Sequence, residues 1–135
     1  AFKGCSSSSY ECLKTIRRIF DEQGYLMDPH TAVGFAVAEK LKGDRPVLVA
    51  STAHWAKFGN NVYRALHGMA PGEPLPQEVE SLTGCQLNLL IADQTGIENV
   101  PAGLSQLDDM PVRFSEVIDN DVPTVEKAVT QFLNR

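Results

Sequence analysis

The run Pro46-Val47-Leu48-Val49-Ala50 constrains the fold of this chain more than any other stretch. Its apolar residues, two of them β-branched valines, do not alternate with polar ones. That pattern predicts a strand, Val47 to Ala50, buried on both faces. Such a strand needs neighbours in a sheet and helices above and below it. Ser51, Thr52 and His54 follow just past its carboxyl end, where open α/β sheets bind ligands. About twenty residues upstream, Gly24-Tyr25-Leu26-Met27 leads into Asp28-Pro29-His30-Thr31. Pro29 suits the first position of a helix and Asp28 its cap, so His30 and Thr31 fall in a first helical turn. The chain therefore presents two polar clusters at element ends.

The surrounding pattern is helical. Ser6 to Ser9 offer several N-caps, and Glu11 to Glu22 carries Leu13, Ile16, Ile19 and Phe20 at helical spacing, with Gly24 as its stop. Val33, Phe35, Ala36, Val37, Ala38 and Leu41 make the apolar body of the next helix, which runs to the turn at Gly43-Asp44. Ala53 to Phe58 and Asn61 to Leu66 read as short helices broken near Gly59, and Gln77 to Leu82 as another. Leu87 to Ala92 fits either a strand or a buried helix, and 93–111 is rich in turn signals. Val112 to Ile118 alternates as a second strand. A final helix, Val122 to Asn134, is predicted to turn Val125, Ala128, Val129, Phe132 and Leu133 inward. The order of elements points to α/β. Two strands are few for an independent sheet, so residues 1–135 read as one α/β segment from a larger three-layer α/β/α domain.

A chain of 135 residues can bury a core, since folding at this size removes roughly two-thirds of the unfolded surface. A net charge of −5 argues against nucleic acid or anionic membrane as a partner, and no apolar stretch approaches the ~18 residues of a membrane span. Cys5, Cys12 and Cys85 cannot all pair with one another, and none has C-x-x-C spacing. Free thiols in a reducing, cytoplasmic setting follow. The chain opens at Ala1 with no signal-peptide pattern, which suggests processing or excision from a longer protein.

From Lys14 to Phe58 the wording resembles the C-terminal part of threonine synthase. The residues that carry the likeness are Thr15-Ile16-Arg17-Arg18, Asp28-Pro29-His30-Thr31-Ala32-Val33-Gly34, Ser51-Thr52-Ala53-His54 and Ala56-Lys57-Phe58. Trp55 departs from the family, where a small residue or Pro is usual. The resemblance implies a lyase of threonine biosynthesis with a tryptophan-synthase-β-like fold. Its reaction takes O-phosphohomoserine and water to threonine and phosphate, using pyridoxal 5'-phosphate. The family's Schiff-base lysine and glycine-rich phosphate loop precede this region and are absent from the chain. Ala1-Phe2-Lys3-Gly4 echoes the lysine motif in the wrong place, so no catalytic residue is assigned.

On the same resemblance, Thr52, with Ser51 beside it, faces the pyridine nitrogen of the cofactor. His54, Asp28, His30, Thr31 and Lys57 line the substrate side. Each has a plainer reading. Ser51 and Thr52 at a strand end suit a helix cap, as Asp28 does. His54 fits a packed, turn-orienting histidine as well as an active-site wall, and Lys57 fits an exposed helical lysine. His30, His54 and His67 do not form a metal-ligand pattern, and Cys12 and Cys85 read as core thiols.

The function implied is one wall of a pyridoxal-phosphate site, inactive alone, whose partners are the rest of the parent enzyme and the phosphorylated substrate. The alternative is a non-catalytic binding or interaction module derived from such a protein, with self-association through surface left uncovered. A flavodoxin-like ligand-binding domain would require a glycine-rich loop after an early strand, which the chain lacks.

Overall fold

The computed structural model describes residues 2–97 and 100–134. Ala1, Glu98, Asn99 and Arg135 lie outside the described residues, so the turn-rich stretch 93–111 is described in part and the 1–4 quartet without its first residue.

Helix α1, Ser9–Gln23, opens on a capping box. Ser8 Oγ accepts from Glu11 N–H at 3.2 Å while the Glu11 carboxylate accepts from Ser8 N–H at 2.8 Å. It closes at Gly24, whose φ of 66° is left-handed. Helix α2, Pro29–Leu41, starts from Asp28 as its cap. A 3-10 turn at Trp55–Phe58 runs into α3, Gly59–Leu66. Then follow α4, Gln77–Glu80; α5, Gly84–Thr95; α6, Ala102–Ser105; and α7, Val122–Leu133.

The core forms where α1 packs on α2 and α3, and α3 on α5. Ile16, Ile19, Val62 and Ile91 are fully buried there, with Met27 and Ala32. Ile16 and Ile19 confirm the helical spacing read along α1. Arg18 pairs with Glu39 at 2.7 Å and Lys40 with Glu11 at 2.8 Å. These exposed pairs tie α1 to α2 but contribute little to stability. Lys40, with Ser8, holds the Glu11 carboxyl down at about 2.

The expected α/β fold is not formed. Among the described residues there is no strand, so the three-layer α/β/α architecture and the tryptophan-synthase-β-like fold are both overturned. The segment 47–50 forms no regular structure and is unpaired, with Leu48 99% exposed. It touches α2 at Gly34, where a Cβ would stand 3.3 Å from Val49 Cγ1. The segment 112–118 is likewise irregular, with a bend at Arg113, and is exposed and unpaired. A strand exists only through a ladder with another strand, and these two segments do not supply one to each other.

The ambiguous Leu87 to Ala92 lies within α5. Thr83 and Gln86 form a second capping box, and Gly96 ends the helix at a φ of 70°. Helix α7 forms where the sequence places it, capped by Asp121. None of its residues is buried, however, and Val125, Val129, Phe132 and Leu133 are exposed rather than inward.

Candidate functional site

Asp28 is the organising residue of the two polar clusters. It is 1% exposed, and its carboxylate accepts from His30 and Thr31 in the first turn of α2, while the Ala32 N–H goes to its backbone carbonyl. Oδ1 takes the N–H of His30 at 2.9 Å and of Thr31 at 3.4 Å, with His30 Nδ1 at 3.1 Å. Oδ2 takes the Thr31 hydroxyl. Burial pushes the Asp28 carboxyl up, but these hydrogen bonds outweigh it and hold the group below the usual carboxylate range. The helix N-terminus favours the same negative charge.

Thr31 carries the link onward. Its Oγ1 lies 3.2 Å from Ser51 Oγ, and Ser51 can also donate to the carbonyl of Ala53 at 3.3 Å. The two sequence clusters therefore meet through a side-chain chain of Asp28, Thr31 and Ser51. His30 stacks obliquely on Phe58, with ring centroids 4.8 Å apart, so the start of α2 also contacts the 3-10 turn. Cys12 adds a contact from α1 to the Pro29 carbonyl at 3.3 Å. Burial, and secondarily the Asp28 charge, push its thiol up.

The other predicted residues stand outside this network. His54 caps the 3-10 turn, its Nδ1 accepting from Ala56 N–H at 3.2 Å. Burial lowers its pKa, against an opposing pull from Asp28. Thr52 is exposed, and among the described residues its hydroxyl makes no hydrogen bond. Lys57 is exposed on a recess of about 350 Å³, whereas His30 lines a different one of about 480 Å³ between the starts of α1 and α2. A further recess of about 560 Å³ against α1 holds none of the predicted residues. Trp55 is buried in the core. Among the described residues no group of three or more His, Cys, Asp and Glu could hold a metal ion.

One polar residue was not legible in the sequence. Asn88 is buried, donates Nδ2 to the Ala56 carbonyl at 2.9 Å and leaves Oδ1 without a partner. Its only signal was an amide inside the apolar run Leu87-Asn88-Leu89-Leu90-Ile91.

These features define a helical unit whose polar motif residues serve as helix caps and as latches between segments. The chain belongs to the threonine synthase C-terminal family, whose model matches residues 31–129. It is 47% identical over 60 residues to threonine synthase-like 1 of Mus musculus, covering 44% of this chain and 8% of that protein. It is 30% identical over 112 residues to threonine synthase of Saccharomyces cerevisiae, covering 73% of this chain and 22% of that enzyme. The match to threonine synthase of Pseudomonas aeruginosa is 33% over 75 residues, with 54% and 16% covered. The chain thus spans a small part of these relatives. No solved structure matches it.

Membership associates the chain with pyridoxal phosphate at the level of the family. The terms lyase and pyridoxal-phosphate enzyme do not transfer to the chain itself. Both presuppose a sheet whose strand end seats the pyridine ring, and Thr52 stands instead on an exposed, unpaired segment. No helix among the described residues is long and apolar enough to cross a membrane.

Proposed function

We propose that this chain is a non-catalytic interaction module of a threonine-synthase-like protein, one that contacts another polypeptide through apolar surface. The observation that carries this reading is the exposure of apolar residues in its two irregular segments and its last helix. Leu48, Phe114, Val117 and Phe132 all face solvent, although the chain buries a sound core elsewhere. Exposed apolar area of this kind marks interaction surface.

On this reading, turnover of O-phosphohomoserine belongs to family members that carry the Schiff-base lysine. Asp28, His30, Thr31, Ser51 and His54 hold the module's shape, while Thr52 and Lys57 remain on its surface. Its three free thiols suit a cytoplasmic setting. The test is a phosphate-release assay with pure chain, O-phosphohomoserine and added pyridoxal phosphate. The expected result is no release above the blank. Sustained formation of threonine would sink the proposal.

A further inference from the structure

Asn88 is the one buried side chain among the described residues that leaves a polar atom without a partner. It is 4% exposed. Its Nδ2 donates to the Ala56 carbonyl at 2.9 Å, which turns Oδ1 the other way, toward the start of α3. A Cβ on Gly59 would stand 3.0 Å from Oδ1 and 3.3 Å from Leu87, so the bare Gly59 is what lets α3 begin this close. A buried acceptor without a donor is costly to keep, and no group of the fold supplies one.

The start of α3 calls for the opposite charge. No side chain caps Gly59–Leu66. The first N–H groups of a helix have no intrahelical acceptor and stand at the positive end of its dipole. Gly59, Asn60 and Asn61 line the recess of about 350 Å³ together with Asn88, Lys57 and Gly84, the first residue of α5. Lys57 adds a full positive charge, and no carboxylate lines the recess. Backbone donors and a cation attract an anion. An acceptor among them disfavours every anion except one that carries its own proton.

We infer that this recess binds a small oxyanion that keeps a hydroxyl group, of the hydrogen phosphate or bicarbonate class. Its bare oxygens take the N–H groups at the start of α3 and the Lys57 ammonium, and its hydroxyl donates to Asn88 Oδ1. The acceptor makes the site selective. Sulfate and nitrate match these two anions in shape but bring no proton to Oδ1 at neutral pH. The site shares no residue with the Asp28, Thr31 and Ser51 latch or with the apolar surface of the interaction module, and the inference goes beyond that reading.

The experiment is isothermal titration calorimetry of the whole chain at pH 7.5 and fixed ionic strength, with the sodium salts of phosphate, bicarbonate, sulfate and nitrate. Amide NMR locates the binding. Phosphate or bicarbonate is expected to bind saturably and roughly tenfold tighter than its shape-matched control, the scale of one satisfied buried acceptor. The two arms show which of the two anions the site takes. Shifts should centre on Gly59, Asn60 and Asn61.

Two variants separate the parts of the site. Lys57→Gln, on the surface, should weaken binding and leave the thermal melt unchanged. Asn88→Leu, checked for folding by circular dichroism, should erase the preference over sulfate or nitrate. No saturable binding, equal affinity for the hydroxyl-free control, shifts confined to another part of the chain, full affinity in Lys57→Gln, or a preference that persists in folded Asn88→Leu would overturn the inference. Should Asn88→Leu not fold, the selectivity of the parent chain and the Lys57→Gln result still decide it.

Discussion

Replacing Asp28 by Ala tests whether one buried carboxylate joins the two polar clusters. The substitution removes the cap of α2, with its acceptances from the N–H of His30 at 2.9 Å and of Thr31 at 3.4 Å. Loss of such a cap costs about 0.5–2 kcal/mol. It also strips the buried Thr31 hydroxyl of its carboxylate partner. An orphaned buried hydroxyl costs about 1–3 kcal/mol, here near the lower end because Ser51 Oγ remains 3.2 Å away. Relief of carboxylate burial offsets part of this, but the lowered pKa of Asp28 shows that its hydrogen bonds outweigh desolvation.

The sum is about 2–3 kcal/mol. At roughly 4 °C per kcal/mol for a chain of this size, the melting temperature falls by about 10 °C. Asp28→Asn keeps an oxygen acceptor, and Asn caps as well as Asp, so it should cost less than about 1 kcal/mol. Urea unfolding followed by far-UV circular dichroism gives both values. Asp28→Ala within about 0.5 kcal/mol of the parent chain, or Asn as costly as Ala, would refute the reasoning. The latter result would make the charge, not the acceptor geometry, the source of stability.

Three further outcomes follow from the same geometry. His54 is half-buried as the neutral acceptor that caps the 3-10 turn, and this partial burial sets its folded pKa below the ordinary 6.5. Its contribution to stability is present above that value and lost as pH falls through the folded pKa. Urea midpoints measured from pH 7.5 downward should show this slope, and His54→Asn should flatten it. Gly59→Ala sets a Cβ 3.0 Å from Asn88 Oδ1 and 3.3 Å from Leu87. Overpacking of about 1–3 kcal/mol should exceed the helix-propensity gain of about 1 kcal/mol. Gly34→Ala, inside α2, meets only Val49 of the irregular 47–50 segment and keeps the propensity gain, so it should be neutral to stabilising by up to about 1 kcal/mol; equal thermal shifts in the two would contradict this packing. Ser51→Ala should lower stability by about 0.5–1.5 kcal/mol, while Thr52→Ala stays within about 0.5 kcal/mol; the reverse order in matched melts would remove the Thr31–Ser51 latch.

Local chemistry alone determined the helices. Ser8 and Glu11, Asp28 and Pro29, Thr83 and Gln86, and Gly24 and Gly96 start and stop their helices through hydrogen bonds and backbone angles that reach no farther than four residues. The helical spacing of Ile16 and Ile19 likewise pointed to the buried face of α1. The family wording was legible for the same reason, since short motifs survive in a short chain.

What tertiary structure decided is relational. Segments 47–50 and 112–118 have strand composition, but a strand requires a ladder, and among the described residues no neighbouring segment completes one. Helix α7 has an amphipathic face, yet periodicity does not say whether a face meets a core or water. The pairing of Thr31 with Ser51, the burial of Asn88 beneath Gly59 and the separation of Lys57 from His30 all depend on how distant segments pack. In each case the deciding partner lies far away in sequence, and only packing brings it near or leaves it absent.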